Sequence, residues 1–148
     1  MSHIQYATLL WGSSSQRNLE RVFKTQMKAV RCLLGMNPFD SCREAFRTLG
    51  LLTVPCLYIY ECILYVKNQK FMRNSDVHSY YTRFRDRVNA VQHNTSLFKK
   101  NPSYMGDQFI KTLPTHVSNC ESKNQFRRLL KGYLIEHSFY GVDDFLSL

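Results

Sequence analysis

The stretch TVPCLYIYECILYVK, residues 53–67, decides the fold. If it is wound into a helix, its apolar and aromatic side chains lie nearly all round the axis, which is typical of a helix buried on every side. Pro55 falls in the first turn after Thr53, where the missing N–H of proline costs no hydrogen bond. We therefore predict a helix over 54–67 that forms the centre of the protein.

The segment before it has the pattern of an amphipathic helix over 14–34. Its apolar residues recur at helical spacing and predict a stripe that faces the core: Leu19, Val22, Phe23, Met27, Val30, Leu33 and Leu34. Its basic residues fall away from that stripe: Arg17, Arg21, Lys24, Lys28 and Arg31. Ser13 and Gln16 have the spacing of a capping box, and Ser15 is a second candidate N-cap. Gly35 is a natural stop.

Three further helices are predicted over 42–49, 103–111 and 123–136. Ser41 and Glu44 form a capping box before the first of these, and Ser122 and Gln125 form another before the last. A final turn over 142–146 is expected to dock back on the core. The pattern as a whole predicts a mainly α-helical protein of about five helices, with a long basic loop over 68–100 in the middle.

The length and composition are those of one globular domain over 1–148. A chain of 148 residues hides about 70% of its unfolded surface, so it needs neither a metal nor disulfides to fold. Its 14% aromatic content argues against disorder. Five cysteines, an odd number at wide spacings, are interpreted as reduced and mostly buried. With no secretory signal and no apolar run of about 20 residues, we expect an intracellular protein of the nucleus or cytoplasm, without a membrane partner.

The net charge of +9 points to a polyanionic partner. This positive charge is concentrated between Lys67 and Lys100. The segment contains eight Lys and Arg residues and two Asp residues, which gives it a net charge of +6. Tyr and Phe interleave with these cations. Because cations neutralise phosphates and aromatic rings stack on unpaired bases, this loop is a candidate nucleic-acid site. Its predicted contact residues are Arg73, Tyr80, Tyr81, Arg83, Arg85, Arg87, Lys99 and Lys100.

His78 is the one histidine beside residues that suggest a role. His78 and Asp76 are expected to order the basic loop through hydrogen bonds. A small hydrolase built around His78 is a further interpretation, weaker than nucleic-acid binding. No zinc-binding spacing, Gly-rich phosphate loop or nucleophile elbow occurs in the sequence. We therefore expect no catalytic residue, no metal and no cofactor.

Three strings resemble one family. They are YATLLWG at residues 6–12, RNSDVHSYYTR at 73–83 and SLFKKNPSYMG at 96–106. In this order they are similar to the region downstream of the polymerase in non-LTR, LINE-type, jockey-like retrotransposon reverse transcriptases. The match runs along nearly the whole chain. It departs at Tyr81, where the family often has Asn, and at Phe109-Ile110, where it often has Tyr-Asn.

The resemblance implies a thumb-proximal, C-terminal piece of an RNA-directed DNA polymerase polyprotein. It does not supply the polymerase, because two-metal chemistry needs a paired Asp on a palm hairpin. The only adjacent acidic pair here is Asp143-Asp144, in a predicted C-terminal helix. The implied function is a non-catalytic accessory domain that holds template RNA or an RNA–DNA hybrid.

A second function remains open beside nucleic-acid binding. The helices could instead form an interaction domain that packs on a polymerase thumb or on a second copy of the chain. An apolar cluster near the start, Tyr6, Leu9, Leu10 and Trp11, is the expected contact surface. Steep weakening of binding with salt separates the first function from the second.

Overall fold

The computed structural model describes residues 8–68, 95, 98–118, 120 and 122–148, without the side chain of Lys99. These residues form eight α-helices and no strand, so the prediction of a mainly α-helical protein is confirmed. The helices are α1 (Thr8–Trp11), α2 (Gln16–Leu34), α3 (Arg43–Leu49), α4 (Val54–Asn68), α5 (Pro102–Thr112), α6 (Thr115–Ser118), α7 (Lys123–His137) and α8 (Val142–Leu146). A single 3-10 turn, Phe98–Lys100, precedes α5.

Each of the five predicted helices is present, with ends within two residues of the predicted bounds. The final turn also docks as predicted, because Phe145 of α8 is fully buried. Two helices were not predicted, α1 and α6, since four residues are too few to show a period. Of the predicted basic loop over 68–100, the structure describes Asn68, which ends α4, Thr95 and the 3-10 turn.

The helix ends show which predicted caps form. Ser15 is the N-cap of α2, and its hydroxyl accepts a hydrogen bond from the N–H of Asn18 at 3.2 Å. The Ser13 capping box is wrong, because that hydroxyl donates to the carbonyl of Leu10 at 3.3 Å, one turn before the helix begins. Gly35 ends α2 in the left-handed region, with φ of 61°, as its position predicted.

The capping box at Ser41 and Glu44 is also wrong. Cys42 holds the N-cap position of α3 and makes no side-chain cap bond, while the Glu44 carboxylate pairs with Arg47 one turn on. Ser122 does hold the N-cap position of α7, again without a side-chain hydrogen bond. These two helices therefore depend on packing more than on their N-terminal caps.

Helix α4 is the central element, as its all-round apolar pattern predicted. It packs against α1, α2, α5, α7 and α8, and Ile59, Cys62 and Ile63 are fully buried. The approach to α5 is close because Gly106 has no side chain: a Cβ there would lie 2.4 Å from Cγ2 of Val66 and 2.6 Å from the carbonyl oxygen of Cys62.

Polar side chains fix the N-terminal end of α4. The Gln26 amide of α2 donates to the carbonyl of Leu52 at 2.8 Å and accepts from the N–H of Val54 at 2.9 Å. The Thr53 hydroxyl donates to the carbonyl of Phe139 at 2.6 Å and accepts from the N–H of Cys56 at 3.2 Å. These bonds join α2, the start of α4 and the segment before α8, which together surround the cavity described below.

The thiols divide by burial, and this gives a first testable prediction. Cys32 is exposed, whereas Cys42, Cys56 and Cys62 are buried. Burial raises the pKa of the Cys56 thiol to about 11 and that of Cys62 to about 12. Because the thiolate is the reactive form, an aromatic disulfide reagent near neutral pH should label Cys32 quickly and the three buried thiols only on unfolding. Cys120 is half-buried and can react at an intermediate rate. Fast labelling of two or more of the three buried thiols in the folded protein would contradict the packing.

The same shifts predict a loss of stability in alkali. Between the unfolded thiol pKa of about 9 and the folded values, only the unfolded chain releases these protons, so the free energy of unfolding falls as the pH rises. At one pH unit above the unfolded pKa the loss is about 1.4 kcal/mol for each of Cys56 and Cys62. Urea denaturation near neutral pH and in mild alkali measures it, and Cys62→Ala should reduce the dependence on pH.

Candidate nucleic-acid interface

Most of the predicted contact residues lie outside the described part of the chain. These are Arg73, Tyr80, Tyr81, Arg83, Arg85 and Arg87, together with the loop-ordering pair Asp76 and His78. The side chain of Lys99 is likewise outside it. Lys100 is described: it ends the 3-10 turn and is exposed.

The described residues contain a second cationic surface on the outer face of α2. Arg17, Arg21, Lys24 and Lys28 are exposed and recur at intervals of four, three and four residues. At 100° per residue this spacing confines them to about 60° of the helix circumference, over about 16 Å of its length. Leu19, the buried residue between the first two, belongs to the opposite, core-facing side. We call these four cations the α2 cationic stripe.

No stripe cation forms an ion pair with a described residue, although the exposed carboxylate of Glu20 neighbours Arg17 and Lys24 on the helix surface. The two ion pairs of the described residues lie elsewhere, between Arg47 and Glu44 and between Lys111 and Asp107. Arg31, one turn beyond the stripe, differs, because its guanidinium donates to the carbonyl of Asp40 at 2.9 and 3.2 Å. The four stripe cations are therefore available to an external anion, whereas Arg31 holds the loop after α2.

The sequence contained the signal for this stripe. Its cations were predicted to lie away from the core, but the nucleic-acid site was predicted in the loop because the density of charge is higher between 67 and 100. A period of three and four residues on one helix is as informative as local density, because it places the charges side by side on one face.

A cavity of about 420 Å³ opens beside the stripe. It lies between the first two turns of α2, the start of α4 and the segment that leads into α8. Apolar and aromatic side chains form its walls, among them Leu19 and Phe23 of α2 and Pro55 and Tyr58 of α4. No sequence pattern pointed to it, since its walls come from distant parts of the chain.

Polar groups also line this cavity. Glu20, Asp143 and Lys100 contribute two carboxylates and an ammonium, and the Gln16 amide donates to Oδ2 of Asp143 at 3.5 Å. Tyr140 is also part of the lining, and its hydroxyl is buried without a hydrogen-bond partner among the described atoms.

The Tyr140 ring is held from two sides. The guanidinium of Arg43 lies 4.8 Å from the ring centroid, and the Phe23 ring meets it edge-on at 5.0 Å. The ring is thus fixed in the wall while its hydroxyl remains unpaired, which is uncommon for a buried polar group.

No cluster of three or more His, Cys, Asp or Glu side chains forms a potential metal site within the described ranges. The Cys120 thiol donates to the backbone carbonyl of His116 at 3.6 Å. No single described helix is long and apolar enough to cross a membrane, although α3 and α4, bent by 54° at their junction, together have the length and composition of a span.

Fold and surface together define a small, mainly α-helical, basic protein with a row of exposed cations on α2. The chain matches no protein-family model, no curated protein and no solved structure.

Proposed function

We propose that this chain is a non-catalytic nucleic-acid-binding domain, an accessory to an RNA-directed DNA polymerase of the kind its sequence resembles. It would hold template RNA or an RNA–DNA hybrid. The observation that supports this most directly is the α2 cationic stripe, four exposed cations in line that form no ion pair with the described residues. The net charge of +9 is consistent with it.

The stripe suits a phosphate backbone better than it suits a protein surface. Successive cations are displaced by about 4.5 or 6 Å along the helix axis, so several can engage one strand at once. Phosphate contacts of this kind give affinity and position without a choice of sequence. The cations between 67 and 100 would add further contacts to the same strand.

A salt titration tests the proposal. Binding of labelled RNA, DNA and RNA–DNA hybrid, followed by fluorescence anisotropy between about 50 and 200 mM salt, should weaken steeply. Four single-strand phosphate contacts by the stripe alone give a log–log slope of about −3, because each contributes roughly −0.7. If the basic loop also binds, joint replacement of Arg83, Arg85 and Arg87 by Ala should make the log–log slope shallower by about 2. Binding that does not respond to salt would contradict the proposal.

The second function, a protein-interaction domain, is supported by exposed apolar side chains. Leu33 near the end of α2 is 75% exposed, and Phe39 in the following loop is 97% exposed. At the predicted contact surface near the start, Leu10 is 76% exposed, but Leu9 and Trp11 are half-buried against the core. Self-association in sedimentation that persists in high salt and is lost in a Leu33→Ser, Phe39→Ser double variant would favour this function.

A further inference from the structure

We infer that Phe39 of one copy of this chain docks into the cavity between α2 and α8 of a second copy. The inference rests on the second function proposed above, in the form of self-association, and it names the inserted residue and the surface that receives it. It does not depend on nucleic-acid binding. Three observations carry it: a rigid turn that presents an exposed aromatic ring, a cavity with partly exposed apolar side chains, and opposite charges around the two.

Phe39 lies on a turn, residues 37–40, that hydrogen bonds hold in place. The N–H of Asp40 donates to the carbonyl of Asn37 at 3.2 Å, and the N–H of Asn37 donates to the Asp40 carboxylate at 3.0 Å. The Arg31 guanidinium ties the turn to α2 by donating to the carbonyl of Asp40 at 2.9 and 3.2 Å. Phe39 is 97% exposed on this turn. An aromatic side chain on a rigid support loses little conformational freedom on docking, and aromatic residues are enriched at protein interfaces.

The cavity can take up one such side chain. Its volume of about 420 Å³ lies within the range of about 300–1,000 Å³ of cavities that bind small molecules, and a benzyl group is smaller than most of these ligands. Phe23 and Tyr58 are buried and form its back, whereas Met105 and Val142 line it and are half-buried. These two side chains retain surface that a docked ring can cover, which is favourable in proportion to the apolar area removed from water.

The docked ring must come from another copy. The turn is tied to Arg31, whereas the part of α2 that lines the cavity ends at Phe23, about 12 Å earlier along the helix axis. At 97% exposure, Phe39 does not enter the cavity of its own chain. Each copy therefore carries a protruding ring and a cavity at different places on its surface, as a heterologous contact between copies requires.

The charges around the ring and around the cavity are complementary. At the cavity, Glu20 and Asp143 present two exposed carboxylates, and Lys100 presents one ammonium. Beside the ring lie the Arg31 guanidinium and the Asp40 carboxylate. Arg31 of the docking copy can approach the two carboxylates while Asp40 approaches Lys100. Complementary charges of this kind orient a contact and disfavour other partners.

Docking leaves the α2 cationic stripe accessible. Four residues of α2 line the cavity, Gln16, Leu19, Glu20 and Phe23. At 100° per residue, the centre of this set lies about 120° round the helix from the centre of the stripe. Self-association and phosphate binding therefore use different faces of α2, and each can be measured without the other.

Sedimentation of the whole protein over a range of concentrations tests the contact. We expect association that persists in high salt, because burial of an apolar ring is not screened by ions. Phe39→Ser should weaken it at least about 30-fold, the effect of losing an interface anchor. Leu148→Ser is the matched control and should associate like the parent, since Leu148 is 66% exposed and does not line the cavity. Equal affinities of these two variants would overturn the inference.

A second matched pair locates the receiving surface. Asp143→Arg places a cation where Arg31 of the docking copy approaches, so it should weaken association at least about ten-fold. Asp144→Arg should leave association unchanged, because Asp144 is exposed in the same turn of α8 and does not line the cavity. If the two variants associate equally well, the cavity is not the receiving surface and the inference is overturned.

Mixing the two impaired variants tests the direction of the contact. Phe39→Ser retains the cavity and Asp143→Arg retains the ring, so at a concentration where each alone is monomeric the mixture should form a one-to-one complex. Both positions are exposed, so both variants should fold, which circular dichroism checks. A mixture of folded variants that remains monomeric would overturn the inference.

The same measurements separate this inference from the proposed functions. If the parent associates and Phe39→Ser associates equally well, the contact through Phe39 is wrong and the second function still stands. If the parent is monomeric at every concentration, the inference and self-association are both wrong. Salt-dependent RNA binding by that monomer would leave the nucleic-acid-binding function standing.

Discussion

Replacing Gly106 with Ala is expected to destabilise the protein by about 1–3 kcal/mol, the usual cost of overpacking, even though alanine is the better helix former. The new Cβ would lie 2.4 Å from Cγ2 of Val66 and 2.6 Å from the carbonyl oxygen of Cys62. A side chain can rotate away, but a helix carbonyl cannot, so α4 and α5 must separate. Since Phe109 of α5 is fully buried against the same core, that separation disturbs the centre of the fold.

Gly132→Ala is the matched control. Gly132 lies inside α7, is exposed and has no neighbouring atom within 4 Å of the place that a Cβ would occupy, so the substitution meets open space. It should stabilise the protein by about 0.5–1 kcal/mol through helix propensity alone. Urea denaturation followed by circular dichroism measures both variants. If both substitutions changed the free energy of unfolding by the same amount in the same direction, α4 and α5 would not pack as closely as described.

The contrast between these two glycines shows what the sequence can and cannot reveal. Both lie inside segments with a helical pattern, and nothing local separates them. The helices were predictable because periodicity and glycine stops are properties of neighbouring residues, as Gly35 illustrates. The role of Gly106 depends on a carbonyl 44 positions earlier in the chain, at Cys62, and so it emerged only from the packing.

The predicted caps failed for local reasons instead, because Ser15 and Cys42, and not Ser13 and Ser41, hold the N-cap positions. Ser41 and Glu44 have the spacing of a capping box, but Arg47 competes for the carboxylate, and the Arg47 guanidinium also donates to the carbonyl of Glu136 near the end of α7. Arg47 lies one turn after Glu44 on the same helix, just outside the four-residue pattern. Ser15 succeeded because its acceptor role needs only the N–H of Asn18, three residues away.

The candidate site likewise has one part that depends on neighbouring residues and one part that depends on residues far apart in the chain. The α2 cationic stripe is local and could be derived from spacing. The cavity could not, because Gln16 and Asp143 face one another across its rim and are 127 residues apart in the chain. The basic loop that the sequence singled out remains a prediction, carried by charge density and by family resemblance.

Joint replacement of Arg21, Lys24 and Lys28 by Ala is expected to weaken RNA binding by up to about 100-fold at low salt. Exposed charge pairs contribute at most about 1 kcal/mol each, and three of them approach that factor. The log–log salt slope should flatten by about 2, at roughly 0.7 for each single-strand phosphate released. The fold should persist, because all three side chains are exposed and alanine favours the helix.

The control removes the same charge from another helix. Lys123, Arg128 and Lys131 of α7 are exposed, so their joint replacement by Ala lowers the net charge by the same three units without touching α2. If affinity depended on net charge alone, the two triple variants would bind RNA equally and show equal salt slopes. A loss at least about ten-fold larger for the α2 variant, measured by anisotropy on the same labelled strand, would instead assign the phosphate contacts to α2, because only placement differs between the two proteins.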